Sequence, residues 1–264
     1  MARPVVALLT DFGTRDHYAG ALKGVVLSVC PDATIVDIGH EVPAHDVQAG
    51  ALELAACYRY FPHGTIFLVI VDPGVGSSRR GIAADIGDYK FVAPDNGVLS
   101  AVFEETPPKK VVELTERKYA RPTVSRTFEG RDRFAPAAAH LAKGVTLVSL
   151  GKSLTDYQRI DLARPVVDAA ELTGTVVRID RFGNLITNID RRTFEQFADR
   201  GAIAIDIGGI DIPRIVATYA AAPPRELCAL FGSTDHLEIA VNAGDAAAML
   251  SLGRGAAVRV RLVR

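Results

Sequence analysis

Three loops in this chain place an aspartate beside a glycine directly after a strand-like apolar run: Thr10-Asp11-Phe12-Gly13, Asp72-Pro73-Gly74-Val75-Gly76-Ser77-Ser78-Arg79-Arg80 and Pro94-Asp95-Asn96-Gly97. A carboxylate there can accept two hydrogen bonds from a sugar diol, and glycine lets backbone approach a ligand closely. The same residue types also make ordinary turns, so no single loop decides the matter. Other chemistries fall away on spacing. Asp11-Phe12-Gly13 spells a kinase metal motif but has no His-Arg-Asp loop before it. Gly74-Val75-Gly76 lacks the third glycine of a dinucleotide fingerprint and runs into Ser77-Ser78-Arg79-Arg80, not a helical pattern. His17, His40, His45, His63, His140 and His236 show no metal-ligand spacing, and no G-x-S-x-G elbow is present. We therefore expect neither a metal nor an acyl-enzyme.

The elements that must position these loops come from the apolar pattern. Pro4 to Thr10, Thr34 to Ile38 and Thr65 to Val71 read as strands, with further strands at Gly81 to Asp85, Lys90 to Ala93 and Lys110 to Leu114. Helical spacing follows Asp16, with Asp16 or Thr14 as its expected cap, and again follows Asp46; a third helix is expected from about Asp132 to Leu141. This alternation predicts an α/β fold with a mainly parallel sheet between helices, and in such sheets ligands gather at the carboxyl ends of the strands. After Asp161-Leu162-Ala163-Arg164-Pro165 the texture changes to short β-rich segments at Leu172 to Ile179, Gly183 to Asp190, Ala202 to Ile207, Ile210 to Val216, His236 to Val241 and Ala256 to Val263. A small antiparallel barrel or sandwich fits them. The expected domains are 1–164 and 165–264.

Bulk properties narrow the partners. Lys plus Arg is 30 and Asp plus Glu is 31, so no basic excess exists to neutralise nucleic-acid phosphates. No stretch approaches the ~20 apolar residues of a membrane helix. Cys30, Cys57 and Cys228 lie far apart in apolar segments and read as small packed residues of a reducing compartment, with the cytoplasm as the expected location.

Taken together and in order, seven stretches resemble the S-adenosyl-L-methionine hydroxide adenosyltransferase family, hydrolytic relatives of the fluorinating and chlorinating enzymes. They are LLTDFG (Leu8 to Gly13), HEVPAHDVQAGA (His40 to Ala51), FPHGTIFLVIVDPGVGSSRR (Phe61 to Arg80), APDNGVL (Ala93 to Leu99), TFEGRDRFAPAAAHLA (Thr127 to Ala142), IDRFGNLITNI (Ile179 to Ile189) and LEIAVNAGDAA (Leu237 to Ala247).

The resemblance implies an α/β domain followed by a small β-barrel, a homotrimer with active sites shared between subunits, S-adenosyl-L-methionine as substrate and no cofactor. It implies that Asp11 holds the ribose hydroxyls, that Asp180, Phe182, Asn184 and Asn188 line the methionine and adenine side, and that Ser233, Asn242 and Ala243 complete it. The family's water-handling set is an Asp, an Arg and a His; Asp72 and Arg79 match the first two, and Glu129 stands in the His position. The expected reaction is displacement of methionine from ribose C5′ by water, with Arg79 expected to lower the pKa of Asp72. The alternatives are halide attack at the same carbon, which an anionic Asp72 would disfavour, or a sensor that binds without turnover.

Overall fold

The computed structural model describes residues 3–263, and the chain divides into two compact units, Met1–Leu162 and Ala163–Arg264. In the first unit, strands β1 (Val5–Thr10), β2 (Thr34–Gly39), β3 (Ile66–Ile70), β4 (Gly81–Ile86), β5 (Tyr89–Pro94) and β6 (Lys110–Glu113) form one sheet in the order β2-β1-β3-β5-β4-β6. The pairs β1–β2, β1–β3 and β3–β5 are parallel. The pairs β4–β5 and β4–β6 are antiparallel.

Successive residues of a strand face opposite sides, and β1 shows why its run is continuously apolar. Val6 and Leu8 join the core beneath helices α1 (Tyr18–Val29) and α4 (Ala135–Ala142), whereas Ala7 and Leu9 join the core beneath α2 (Val47–Cys57) and α3 (Ser100–Glu105). Both faces of the sheet are therefore covered. The Asp46 side chain caps α2 by accepting from Ala49 N at 2.8 Å. The cap expected for α1 is not used: His17 holds that position without a side-chain bond, and Thr14 donates instead to Glu41 at 2.9 Å. The helix expected from Asp132 begins as one π turn, Gly130–Phe134, which runs into α4.

The second unit is an antiparallel sheet built from β7 (Val166–Val167), β8 (Glu171–Ile179), β9 (Leu185–Asp190), β10 (Ile203–Ile207), β11 (Ile210–Ile212), β12 (Leu227–Phe231), β13 (His236–Val241) and β14 (Ala257–Leu262). Its order is β11-β10-β14-β8-β9-β13-β12, with β7 paired to β8. Just beyond β11 a bridge between Ile215 and Ala229 brings the chain back to β12, so the sheet nearly closes into a barrel around a core that includes Leu172, Leu185, Phe197, Ile239 and Val258. Two short helices, α5 (Arg191–Ala198) and α6 (Ala246–Leu250), complete it. No helix among the described residues is long and apolar enough to cross a membrane.

Candidate active site

Asp72 lies two residues past β3 and Arg79 two residues before β4, so one tight loop carries both. The loop is held by backbone bonds from Val75 N to Asp72 O and from Ser77 N to Gly74 O, at 3.2 and 3.1 Å. Gly76 has φ +78°, and a Cβ there would sit 2.3 Å from the carbonyl oxygen of Arg126; only glycine fits. Arg79 grips Asp72 as a fork, Nε to Oδ1 at 2.8 Å and Nη2 to Oδ2 at 2.5 Å, and its guanidinium lies 5.1 Å from the Phe134 ring centroid.

Glu129 arrives from a distant part of the sequence. It immediately precedes the π turn, whose Gly130 packs so closely on Ile70 at the end of β3 that a Cβ would come within 2.9 Å of it. Glu129 Oε2 lies 2.7 Å from Arg79 Nη2, and Oε1 lies 3.4 Å from Arg133 Nη1. The side chains of Asp72, Arg79 and Glu129 are only 5%, 9% and 12% exposed. The contact of Arg79 with Glu129 is an ion pair without hydrogen-bond alignment, because Nη2 is directed at Asp72. Among the described residues two buried atoms of the cluster have no hydrogen-bond partner, the donor Arg79 Nη1 and the acceptor Glu129 Oε2. Buried polar atoms left so are uncommon and mark places where a ligand or water is taken up.

Burial pushes the Asp72 carboxyl above the usual carboxylate range; the neighbouring charges of Glu129 and Asp11 push the same way, and together they outweigh the opposing pull of Arg79. The expected downward pull of Arg79 on Asp72 is present, but burial, with Glu129 and Asp11, outweighs it. Asp11, at the carboxyl end of β1 beside β3, accepts a hydrogen bond from His45 N at 2.9 Å through Oδ2. The third Asp-Gly loop plays a different part. Asp95 is buried with both oxygens occupied, by Arg80 Nε at 2.8 Å and Gln158 N at 2.7 Å, so it anchors the end of this unit and offers nothing to a sugar.

The sequence of the first unit fits the family profile of the SAM hydroxide adenosyltransferase N-terminal domain over residues 6–151, and that of the second fits the C-terminal domain over residues 174–259. The chain belongs to the SAM hydroxide adenosyltransferase family. A Thermus thermophilus protein named (R)-S-adenosyl-L-methionine hydrolase is 36% identical, over 98% of this chain and 99% of its own. A fluorinase from Actinoplanes sp. is 31% identical over 97% of each chain. A crystal structure of an uncharacterized conserved protein from Thermotoga maritima, 36% identical, superposes with a TM-score of 0.92 over 97% of this chain and 99% of that one.

In this SAM hydroxide adenosyltransferase chain the barrel residues singled out by sequence fall into two kinds. Asp180 organises the turn before β9: Oδ1 accepts from Phe182 N and Asn184 N, and Oδ2 accepts from Asn184 Nδ2, each at 2.9 Å. Gly183 has φ +81° in that turn, and the Phe182 ring stands 75% exposed. Ser233 and Ala243 are not buried, and Ala243 has φ +54°. Asn188 and Asn242 are half-buried and have amides engaged by backbone of the second unit. Asn188 accepts from Thr175 N at 2.8 Å and donates to Ala163 O at 2.9 Å; Asn242 donates to Ala222 O at 2.6 Å.

Sequence reading of this SAM hydroxide adenosyltransferase did not single out the buried Glu238, which accepts a hydrogen bond from the Tyr219 hydroxyl at 2.7 Å. Burial, followed by the adjacent Glu238 carboxylate, raises that phenol's pKa above its ordinary value. The available signal was a lone carboxylate within the apolar strand Leu237 to Val241.

Proposed function

We propose that this chain hydrolyses S-adenosyl-L-methionine to adenosine and L-methionine by in-line attack of water on ribose C5′. Near-full-length similarity to proteins named as hydrolases of this compound supports the reaction. The observation that carries the mechanism is the buried Asp72–Arg79–Glu129 cluster, in which Arg79 Nη1 and the ion-paired Glu129 Oε2 make no aligned hydrogen bond among the described residues.

The sulfonium departs already carrying its positive charge, so the leaving group needs no acid. The nucleophile needs help. Water must be stripped of competing solvent, held opposite the breaking C–S bond and relieved of a proton as the C–O bond forms. Asp72, buried and with a raised pKa, takes that proton. Arg79 fixes the orientation of Asp72 and offers Nη1 to the water oxygen, and Glu129 offers Oε2 to a water proton. Asp11 holds the ribose hydroxyls. Asp180, Phe182, Asn184, Ser233 and the backbone around Asn242 and Ala243 receive the methionine and adenine portions, with Asn188 supporting them from the second unit. The reaction draws on no cofactor.

Two carboxylates at the water position argue against halide attack, since each would repel the incoming anion. The assembly we infer is a homotrimer with active sites shared between subunits, on the strength of the family resemblance; light scattering tests it. The cytoplasm is the inferred compartment, supported by three free cysteines, two of them buried. Chromatography after incubation with S-adenosyl-L-methionine tests the function: equimolar adenosine and methionine support it, whereas unchanged substrate that stays bound would identify a sensor.

A further inference from the structure

Glu129 is contacted by a second guanidinium, and that guanidinium faces a cleft. Arg133, one turn beyond Glu129, lies 3.4 Å from its Oε1 and also donates through Nη2 to Leu114 O at 3.1 Å. The same Arg133 lines a cleft of about 630 Å³ in the first unit. That volume lies in the range of small-molecule sites.

The cleft is cationic. Its lining includes Arg117, Lys118, Arg121 and Arg133 against one acid, Glu116. Arg121 is committed elsewhere, 3.2 Å from the fully buried Asp132, which Arg131 also grips at 2.7 Å. Among the described residues Lys118 meets only the face of Tyr119, at 5.0 Å from the ring centroid. Arg117 has no ion pair or side-chain hydrogen bond among the described residues. Arg117 and Lys118 therefore line one cavity without an ion-pair partner among the described residues, next to Arg133, whose one anion is Glu129, and beside apolar walls from Leu114 and Val124. A chain with no net basic excess has gathered them locally.

We propose that this cleft is an effector site for a small organic phosphate, with its phosphate on Arg117, Lys118 and Arg133 and its apolar portion against Leu114, Val124 and Tyr119. A phosphate carries more than one charge and several acceptor oxygens, which matches three cations better than a single carboxylate does. Binding there draws Arg133 away from Glu129. Glu129 then loses a positive neighbour, so its carboxylate is left freer to hold the attacking water beside Asp72 and Arg79. The cleft stands independently of the reaction proposed above; its effect on turnover rests on that reading.

The test is calorimetric titration with phenyl phosphate, inorganic phosphate and benzoate, on the wild type and on Arg117→Ala/Lys118→Ala, with melting curves to confirm that the variant folds. Both substituted side chains are exposed. The expected result is one phenyl phosphate site per chain, weaker binding of inorganic phosphate and of benzoate, and at least a tenfold loss of phenyl phosphate affinity in the variant. Phenyl phosphate should also raise wild-type turnover at least twofold while leaving the variant unchanged. No binding at millimolar concentration, or binding indifferent to the double substitution, would overturn the site. Saturable binding with turnover unmoved would overturn the coupling through Arg133. A protein that binds phenyl phosphate as expected but never cleaves S-adenosyl-L-methionine would refute the hydrolysis and keep the cleft.

Discussion

Arg79 engages two carboxylates from distant parts of the sequence, forking onto Asp72 while its Nη2 lies 2.7 Å from Glu129. Arg79 is therefore shared between two buried anions, with Arg133 meeting Glu129 from the other side at 3.4 Å. Removing Asp72 should expose the consequence. Asp72→Asn keeps the shape and deletes the proton acceptor, so turnover should fall by about 10² to 10⁴ while substrate affinity changes little, as read from kcat and from direct binding. An equal loss of affinity with unchanged kcat would make Asp72 a binding residue.

The raised pKa of Asp72 sets a pH dependence. The group acts as an anion, and its protonated form persists above the usual carboxylate range because burial, Glu129 and Asp11 disfavour the charge. Turnover should therefore decline on the acid side at a pH higher than an ordinary aspartate would give. Glu129→Gln removes one of the charges holding that value up, so the acid limb of the kcat profile should move to lower pH as the plateau falls. Glu129→His should retain activity or raise it. A Gln variant that matches wild type from pH 6 to 9 would show that Asp72 and Arg79 suffice.

Asp11→Ala should cost affinity more than chemistry, because a sugar contact is made in the ground and transition states alike. The loss should be about 1.5–3 kcal/mol, read as a raised KM with kcat nearly kept. Part of the effect comes through the 43–46 loop, whose His45 N–H the Asp11 carboxylate accepts. Asp11→Asn keeps an acceptor there and should recover the loop.

Much of the first unit was legible because its central strands β1, β3 and β5 are buried on both faces, and an unbroken apolar run as short as Val5 to Leu9 suits a central parallel strand better than a surface element. The direction of β4 was not read, although Gly87-Asp88 between Ile86 and Tyr89 is a hairpin signal, with Gly87 at φ +59°. Helix α5 was missed because only Phe194 and Phe197 are buried in an otherwise polar segment. Strand β12, Leu-Cys-Ala-Leu-Phe, is an unbroken apolar run like β1, but it lies in an antiparallel sheet, where alternation is the expected mark, and it was missed. In the site, Asp72 and Arg79 could be paired from one loop. Whether Glu129 would face Arg79 or pair with Arg131 or Arg133 depended on how the π turn winds; it meets Arg79 and Arg133, while Arg131 turns to Asp132.

The loop that joins Asp72 to Arg79 depends on Gly76. Gly76→Ala forces a positive φ on alanine and drives its Cβ into the Arg126 carbonyl, so the melting temperature should drop by an amount equivalent to about 1–3 kcal/mol. An unchanged melting temperature would mean that the loop can be redrawn at no cost.

The origin of the new oxygen tests the account most directly. Incubation with S-adenosyl-L-methionine in ¹⁸O-water, with chloride present, followed by mass spectrometry of the nucleoside, should give adenosine labelled at the 5′ oxygen together with one equivalent of methionine. A 5′-chloro nucleoside, adenosine without the label, or substrate recovered intact would contradict it.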